Sequence, residues 1–376
     1  MLKNNQTKRT RPVFKIAAID DQEKFKSLPE PTGIYPYHLD IHKVIPGIND
    51  RKIVFHMAGD TGGYVQPAIK HLVVNEMAKQ YNDAIDAEDR PLFLFHLGDV
   101  VYNYGQAEQY HPQFFEPYEH YPGPVFAIAG NHDADIDPSD PLLPKSLEAF
   151  LQVFCSTSIG LVKFSGGIKR PGNIQPNIFW TLETPLANII GLYSNVPRFG
   201  TITANQREWF IEELKNAQKQ SVDKAIIVCL HHSAYSADTN HGSSLRMQLF
   251  LNSAFEETNV YPHILFSGHV HNYQRFNKSY PNGKTVPFIV SGAGGYADLH
   301  KIAAIGDPGF PDESVMLDNV SLENYCDSSH GFLKVSIEKT ESDFVLQLNY
   351  YTISVIDETT STSSLFDTLT IDLMDR

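Results

Sequence analysis

Five short apolar runs in this chain each end in residues that could hold a metal ion. Ile53–Ala58 runs into Gly59-Asp60-Thr61-Gly62, and Leu92–Leu97 into Gly98-Asp99-Val100-Val101-Tyr102. Val125–Ala129 runs into Gly130-Asn131-His132-Asp133, Ala225–Leu230 into His231-His232, and Ile264–Ser267 into Gly268-His269-Val270-His271. Singly these are bland features. An Asp after a strand is commonly a helix cap or turn residue, and a lone His there is commonly surface or packing. Recurrence at five successive exits is more than turns explain. Two carboxylates, a phenol, an amide oxygen and three imidazoles form an oxygen–nitrogen donor set without thiolate. Such a set suits Fe, Mn or Zn and disfavours an iron–sulfur cluster. Seven donors exceed what one ion needs. A carboxylate shared by two ions about 3.5–4 Å apart absorbs the surplus, and such pairs serve in-line displacement at phosphorus.

The elements that must position these donors are legible around them. With Ile189–Tyr193 and Phe288–Ser291, the apolar runs have the length and composition of strands buried on both faces. Val65–Ile85 carries Val65, Ile69, Leu72, Val73, Met77 and Tyr81 at helical spacing. Ala204–Gln220 and Leu245–Glu257 also read as amphipathic helices. Strands alternating with helices predict an α/β fold of βαβ units, whose carboxyl edge is where sites collect. Glycine ahead of a donor lets the backbone turn sharply. Residues 1–50, with prolines at 29, 31, 36 and 46, read as a loop-rich lead-in packed on the domain, with one strand at Phe14–Ile19. Residues 51–376 read as a single domain with an insertion at 134–186 and a short helix near Ser146–Phe154. After residue 330, Leu333–Ile337, Phe344–Thr352 and Thr368–Leu373 are strand-like without an intervening helix. They are closing strands of the same sheets or a separate β module.

Composition narrows the partners. Of 376 residues, 44 are Asp or Glu and 30 Lys or Arg, a formal charge of −14. That balance argues against binding duplex nucleic acid or an anionic membrane, both of which want a basic face. Three cysteines, none in a CxxC pair, exclude a disulfide framework. No apolar run approaches the roughly 18–20 residues that cross a bilayer. The basic start MLKNNQTKRTRP has no apolar segment behind it, so the chain as given reads as lacking a secretory signal and cytoplasmic by default. Oligomeric state is not legible.

At these residues the sequence resembles the calcineurin-like metallophosphoesterases and, within them, the purple acid phosphatases. The blocks D-x-G, G-D-x-x-Y, G-N-H-[DE], V-x-x-H and G-H-x-H stand here at Asp60–Gly62, Gly98–Tyr102, Gly130–Asp133, Val228–His231 and Gly268–His271. Gln206-x-x-Trp209 and Gly292-Ala293-Gly294-Gly295 are similar to softer features of the family. Most members carry D-x-H and G-D-x-x-D. Here Gly62 and Tyr102 replace the His and the second Asp, a paired change that resembles the purple acid phosphatases.

The resemblance implies a four-layer α-β-β-α sandwich of two mixed sheets flanked by helices. It implies a hydrolase, a phosphatase acting on phosphomonoesters by attack of a metal-bound hydroxide; phosphodiester or nucleotide hydrolysis at the same centre is the alternative. Asp60, Tyr102 and His271 would hold Fe(III), while Asn131, His231 and His269 would hold a divalent Fe, Zn or Mn, with Asp99 bridging. His132 resembles the family's phosphate-contacting histidine. His241, in Asp238-Thr239-Asn240-His241-Gly242, resembles the histidine that protonates the leaving group. His232 is expected to point elsewhere, and Tyr235 and Tyr273 to pack. Relatives are often exported. The segments at 134–186 and 300–330 match no family feature, which makes them the expected pocket walls.

Overall fold

The computed structural model describes residues 10–16, 18–141 and 144–374. The basic start of the chain, residues 1–9, and Ala17 within the expected first strand lie outside them. The strands are β1 (His38–Asp40), β2 (Lys52–Ala58), β3 (Leu94–His96), β4 (Val125–Ala127), β5 (Trp180–Glu183), β6 (Ala187–Gly191) and β7 (Ala225–Leu230). They continue with β8 (Ile264–Ser267), β9 (Tyr273–Ser279), β10 (Thr285–Ser291), β11 (Val320–Cys326), β12 (Gly331–Lys339), β13 (Phe344–Val355) and β14 (Ser361–Asp372). The helices are α1 (Ala68–Asn82), α2 (Ala107–Tyr110), α3 (Asn131–Ala134), α4 (Glu148–Phe154), α5 (Ala204–Gln220) and α6 (Leu245–Thr258).

Two mixed sheets result. One orders its strands β14-β13-β12-β2-β3-β4, the other β1-β5-β6-β7-β8-β10-β9-β11. Each has a parallel heart, β2-β3-β4 and β6-β7-β8-β10, so several strands end at one edge. Between the sheets lies a closed apolar layer. Phe55, Met57, Phe93, Phe95 and Phe126 of one meet Trp180, Ile189, Ile227, Cys229 and Phe266 of the other. The neighbours Ile190, Val228 and Leu265 point the opposite way, into a layer with Trp209, Phe210 and Leu214 of α5. That alternation follows from the two-residue period of a strand. On the other outer face α1 packs against β12, β13 and β14. The architecture is therefore helix, sheet, sheet, helix.

Local chemistry explains the helix starts. Thr203 and Ser244 cap α5 and α6 by accepting from the backbone N–H of Gln206 and Met247. The helix expected from Val65 starts at Ala68 instead, leaving Val65 exposed. The three late strands close the β2 sheet: β12 pairs antiparallel with β2 from Lys52 to Met57, and β13 and β14 follow. The three cysteines are buried and free.

One expected strand is absent. The described residues of Phe14–Ile19 form no strand; the backbone donates instead to loop carbonyls, Phe14 to Pro311 and Ile16 to Gly309, with Ile16 and Ile19 facing outward. The strand of the lead-in is β1, which adds to β5 at the sheet edge. Among the described residues no helix is long and apolar enough to cross a membrane.

Candidate metal centre

The exits of β2, β3, β4, β7 and β8 meet at one edge of the two sheets. Asp60 and Asp99 follow β2 and β3 in left-handed backbone conformation, φ 58° and 54°, and His269 after β8 has φ 68°. Non-glycine residues avoid that region, so the packing around the turns must hold them there. Asp60, Asp99 and His231 are essentially inaccessible, and Tyr102, His269 and His271 are buried with them.

Their functional atoms converge in two adjoining groups. In the first, the Tyr102 hydroxyl lies 3.2 Å from Asp60 Oδ1 and 3.2 Å from His271 Nε2, and the latter pair is 3.6 Å apart. In the second, Asn131 Oδ1 lies 3.0 Å from His269 Nδ1 and 3.2 Å from His231 Nε2, which is 3.3 Å from Asp99 Oδ2. Atoms of Asp60, Asp99 and His231 fall within 4.8 Å of one another, so the groups touch through the carboxylates.

Gly62 and Tyr102 are linked sterically. A Cβ at position 62 would stand 2.7 Å from the Tyr102 ring and 2.9 Å from the Val100 carbonyl. A side chain there and a tyrosine turned into the site exclude each other. The glycine makes the room that the phenol occupies.

Surrounding groups fix each ring. His231 Nδ1 donates to the Leu97 carbonyl (2.8 Å) and His271 Nδ1 to that of Asp298 (3.0 Å), so both turn Nε2 inward. Asp133 receives the backbone N–H groups of Val100, Val101 and Gly130 at 2.8–3.1 Å, tying the β3 exit to the β4 exit. Burial and the nearby Asp99 charge lift its pKa to about 6. Gln113 receives the N–H of Tyr102 (2.8 Å) and of Gly63 (2.6 Å).

The electrostatics call for a cation. Burial lifts the Asp60 carboxyl well above the usual range, and the adjacent Asp99 charge adds to this against His231. Burial and the same two carboxylates drive the Tyr102 phenol far upward. Burial presses His269 and His271 well down, and the imidazoles around each push the same way. For Asp99 burial acts upward, but the His231 and His132 charges and hydrogen bonds outweigh it and hold the group below the ordinary range. Burial likewise opposes a proton on His231, yet Asp99 and Asp60 hold its pKa up, at about 9. Metal ions resolve this crowding: they favour ionised oxygen donors and neutral imidazoles together. The donor set therefore fits metal.

The remaining candidates flank this cluster. The His132 ring lies 4.3 Å from that of Tyr102, with Nδ1 held by the Asn103 carbonyl at 2.7 Å. The His241 ring lies 4.1 Å from that of His269. Its loop is shaped by Asp238, which accepts the N–H groups of Asn240, His241 and Gly242. Burial, aided by His300, Arg198 and Lys15, brings His241 down to about 3 against Asp238. His232 turns its Nδ1 to Ser194 Oγ, 2.7 Å away, though its ring still lies 4.3 Å from His269. Tyr235 packs on Phe276 and Phe288, while Tyr273 stacks on Tyr350 and donates to Asp367. Neither joins the cluster.

Besides Gln113, two ring neighbours of the cluster were not singled out from sequence. His300, from the segment that matched no family feature, stacks on His271 at 4.2 Å and lies 3.4 Å from Asp238 Oδ2. Tyr296 lies 4.3 Å from the Tyr102 ring. The Gly-Gly ahead of Tyr296 was the available signal; His300 had none.

Two sheets with helices outside and converging oxygen and nitrogen donors at the strand exits define a metallophosphoesterase-type site. The sequence profile for calcineurin-like phosphoesterases matches residues 40–273, and the chain belongs to that family of metal-dependent phosphoester hydrolases. Comparison with curated proteins gave no match. Among solved structures, GAP50, the anchor in the inner membrane complex of Plasmodium, is similar with a TM-score of 0.53 at 13% identity, over 86% of this chain and 89% of that one. PhoD is similar with a TM-score of 0.52 at 14% identity, over 86% and 70%. At such identities the likeness is one of fold.

Proposed function

We propose that this protein is a dinuclear metal-dependent phosphatase of the purple acid phosphatase type, acting on phosphomonoesters. Asp60, Tyr102 and His271 would hold a ferric ion, Asn131, His231 and His269 would hold a divalent partner (Fe, Zn or Mn), and Asp99 would serve both. The observation that carries this reading is the Tyr102 hydroxyl meeting Asp60 and His271 in the space left by Gly62. Bound ions would supply Lewis-acid activation of water and neutralise charge on the phosphoryl oxygens.

The chain's own residues do the rest. Asp133 and Gln113 keep the donor loops in place. His132 presents Nε2 to a phosphate oxygen while the Asn103 carbonyl holds its other nitrogen. His241, loosely held except through its loop, delivers a proton to the departing alkoxide; substrate dianion beside it offsets the burial that otherwise strips the proton.

Metal content and a visible spectrum of protein purified without chelator test the assignment. Iron with a tyrosinate band that disappears in Tyr102→Phe is expected, with turnover of p-nitrophenyl phosphate. Colourless protein holding only zinc or manganese would remove the ferric assignment.

A further inference from the structure

The described part of the lead-in before residue 40 precedes the matched span of residues 40–273, yet it forms one flank of the site. Val13 donates to the Ser236 carbonyl, and its own carbonyl accepts from Ser243, clasping the loop that carries His241. Lys26 exchanges backbone hydrogen bonds with the Asn195 side chain at 2.8–2.9 Å, and Gln22 accepts from Thr201. Two half-buried cations stand in this seam. Lys15 Nζ and Arg198 Nη2 both donate to the carbonyl of Asn240, at 2.8 Å and 2.6 Å, one residue before His241.

A single neutral carbonyl is a poor match for two full positive charges. Among the described residues neither cation has a carboxylate partner, and Arg198 Nε has no acceptor at all. The carboxylates around them are already engaged. Asp21 takes the backbone N–H of Arg198 and pairs with Lys24, Asp20 pairs with Arg246, and Asp238 is filled by its own loop and by His300. Lys15 Nζ also stands 5.9 Å over the Phe310 ring, but in a chain of net charge −14 two cations without a carboxylate partner beside a reaction centre are a local reversal of sign, and local sign governs which anions are held.

We propose that Lys15 and Arg198 form a second anion subsite, selecting phosphomonoesters whose leaving group itself carries a phosphate. The inference rests on the hydrolytic reading above for one point: the leaving group departs toward His241, and so toward Asn240 and the two cations. Guanidinium and ammonium groups with unspent N–H donors suit phosphate oxygens.

Binding can be read without turnover. On metal-loaded protein, calorimetry with an alkane bisphosphonate and the matching alkyl monophosphonate, neither hydrolysable at its C–P bonds, should show about a tenfold preference for the bisphosphonate. The double variant Lys15→Gln, Arg198→Gln should lose most of that preference, and the charge-preserving Lys15→Arg, Arg198→Lys should keep it. No preference in the parent protein, a preference that survives in the Gln variant, or its loss in the charge-preserving variant overturns the subsite. Turnover of p-nitrophenyl phosphate, which carries no second anion, separately tests the hydrolytic reading. If turnover is absent while the bisphosphonate preference is intact, the hydrolytic reading and the leaving-group role fall, and the second anion subsite stands.

Discussion

The two sheets supply different chemistry to the same site. The β2-β3-β4 sheet delivers every oxygen donor, Asp60, Asp99, Tyr102 and Asn131, and the sheet containing β7 and β8 delivers every imidazole, His231, His269 and His271. Each half is unsatisfactory alone. The oxygen side would bury carboxylates and a phenol against one another, and the nitrogen side would crowd imidazoles that burial keeps neutral. Placed opposite each other at the seam between sheets, they would be complementary donors for the cations proposed above. Packing of the sheets and competence of the site are therefore one event.

That comparison can be broken at its centre. Asp99 lies where the two donor groups touch, so Asp99→Ala should lower kcat by at least about a thousandfold and reduce bound metal below that of the parent. Retained metal with near-parental kcat would show the halves to be independent. A second test acts on the seam itself. Phe95 is fully buried between the sheets, its ring stacked 6.0 Å from that of Trp180. Phe95→Ala should cost about 3–4 kcal/mol in denaturant unfolding, the usual range for a deleted core phenyl. It should also weaken metal retention, although residue 95 touches none of the donors.

The smallest effect lies at the far sheet edge, away from both donor sets. His38 of β1 sits 3.0 Å from Glu183 and 2.8 Å from Glu213. Burial opposes its protonation, but the hydrogen bonds and charges of these two carboxylates win and raise its pKa to about 9. A raised folded-state pKa means the stabilisation is fully present below the unfolded value near 6.5 and is lost as pH climbs through 9. Unfolding free energy should drop by about 1–2 kcal/mol across that window, and His38→Gln should flatten the dependence. An unchanged slope in the variant would locate the pH sensitivity elsewhere.

Several elements escaped the sequence for a common reason. β9 and β11 carry Gln274, Arg275, Asn277, Lys278, Glu323 and Asn324 among their apolar residues. They lie at one end of their sheet, where polar side chains are partly exposed or, as for Gln274, buried in hydrogen bonds, so no continuous apolar run marks them. β7 and β8, covered on both faces, were readable residue for residue. The site divides along the same line. Asp60, Asp99 and Asn131 could be read because each follows the end of a buried strand within two to four residues. Gln113 and His300 could not, because each acts across the fold on a residue distant in sequence.

By itself the sequence determined which donor types leave which strands, because strand and turn are written in local apolar runs and glycines. It also determined that a phenol enters this site, through the Gly62 and Tyr102 pair. Only the tertiary structure decided that oxygen and nitrogen donors meet, that His300 backs His271, and that Lys15 of the lead-in stands beside His241. Those facts depend on how two sheets and a distant segment pack, and contacts between residues far apart in the chain leave no periodic trace in it.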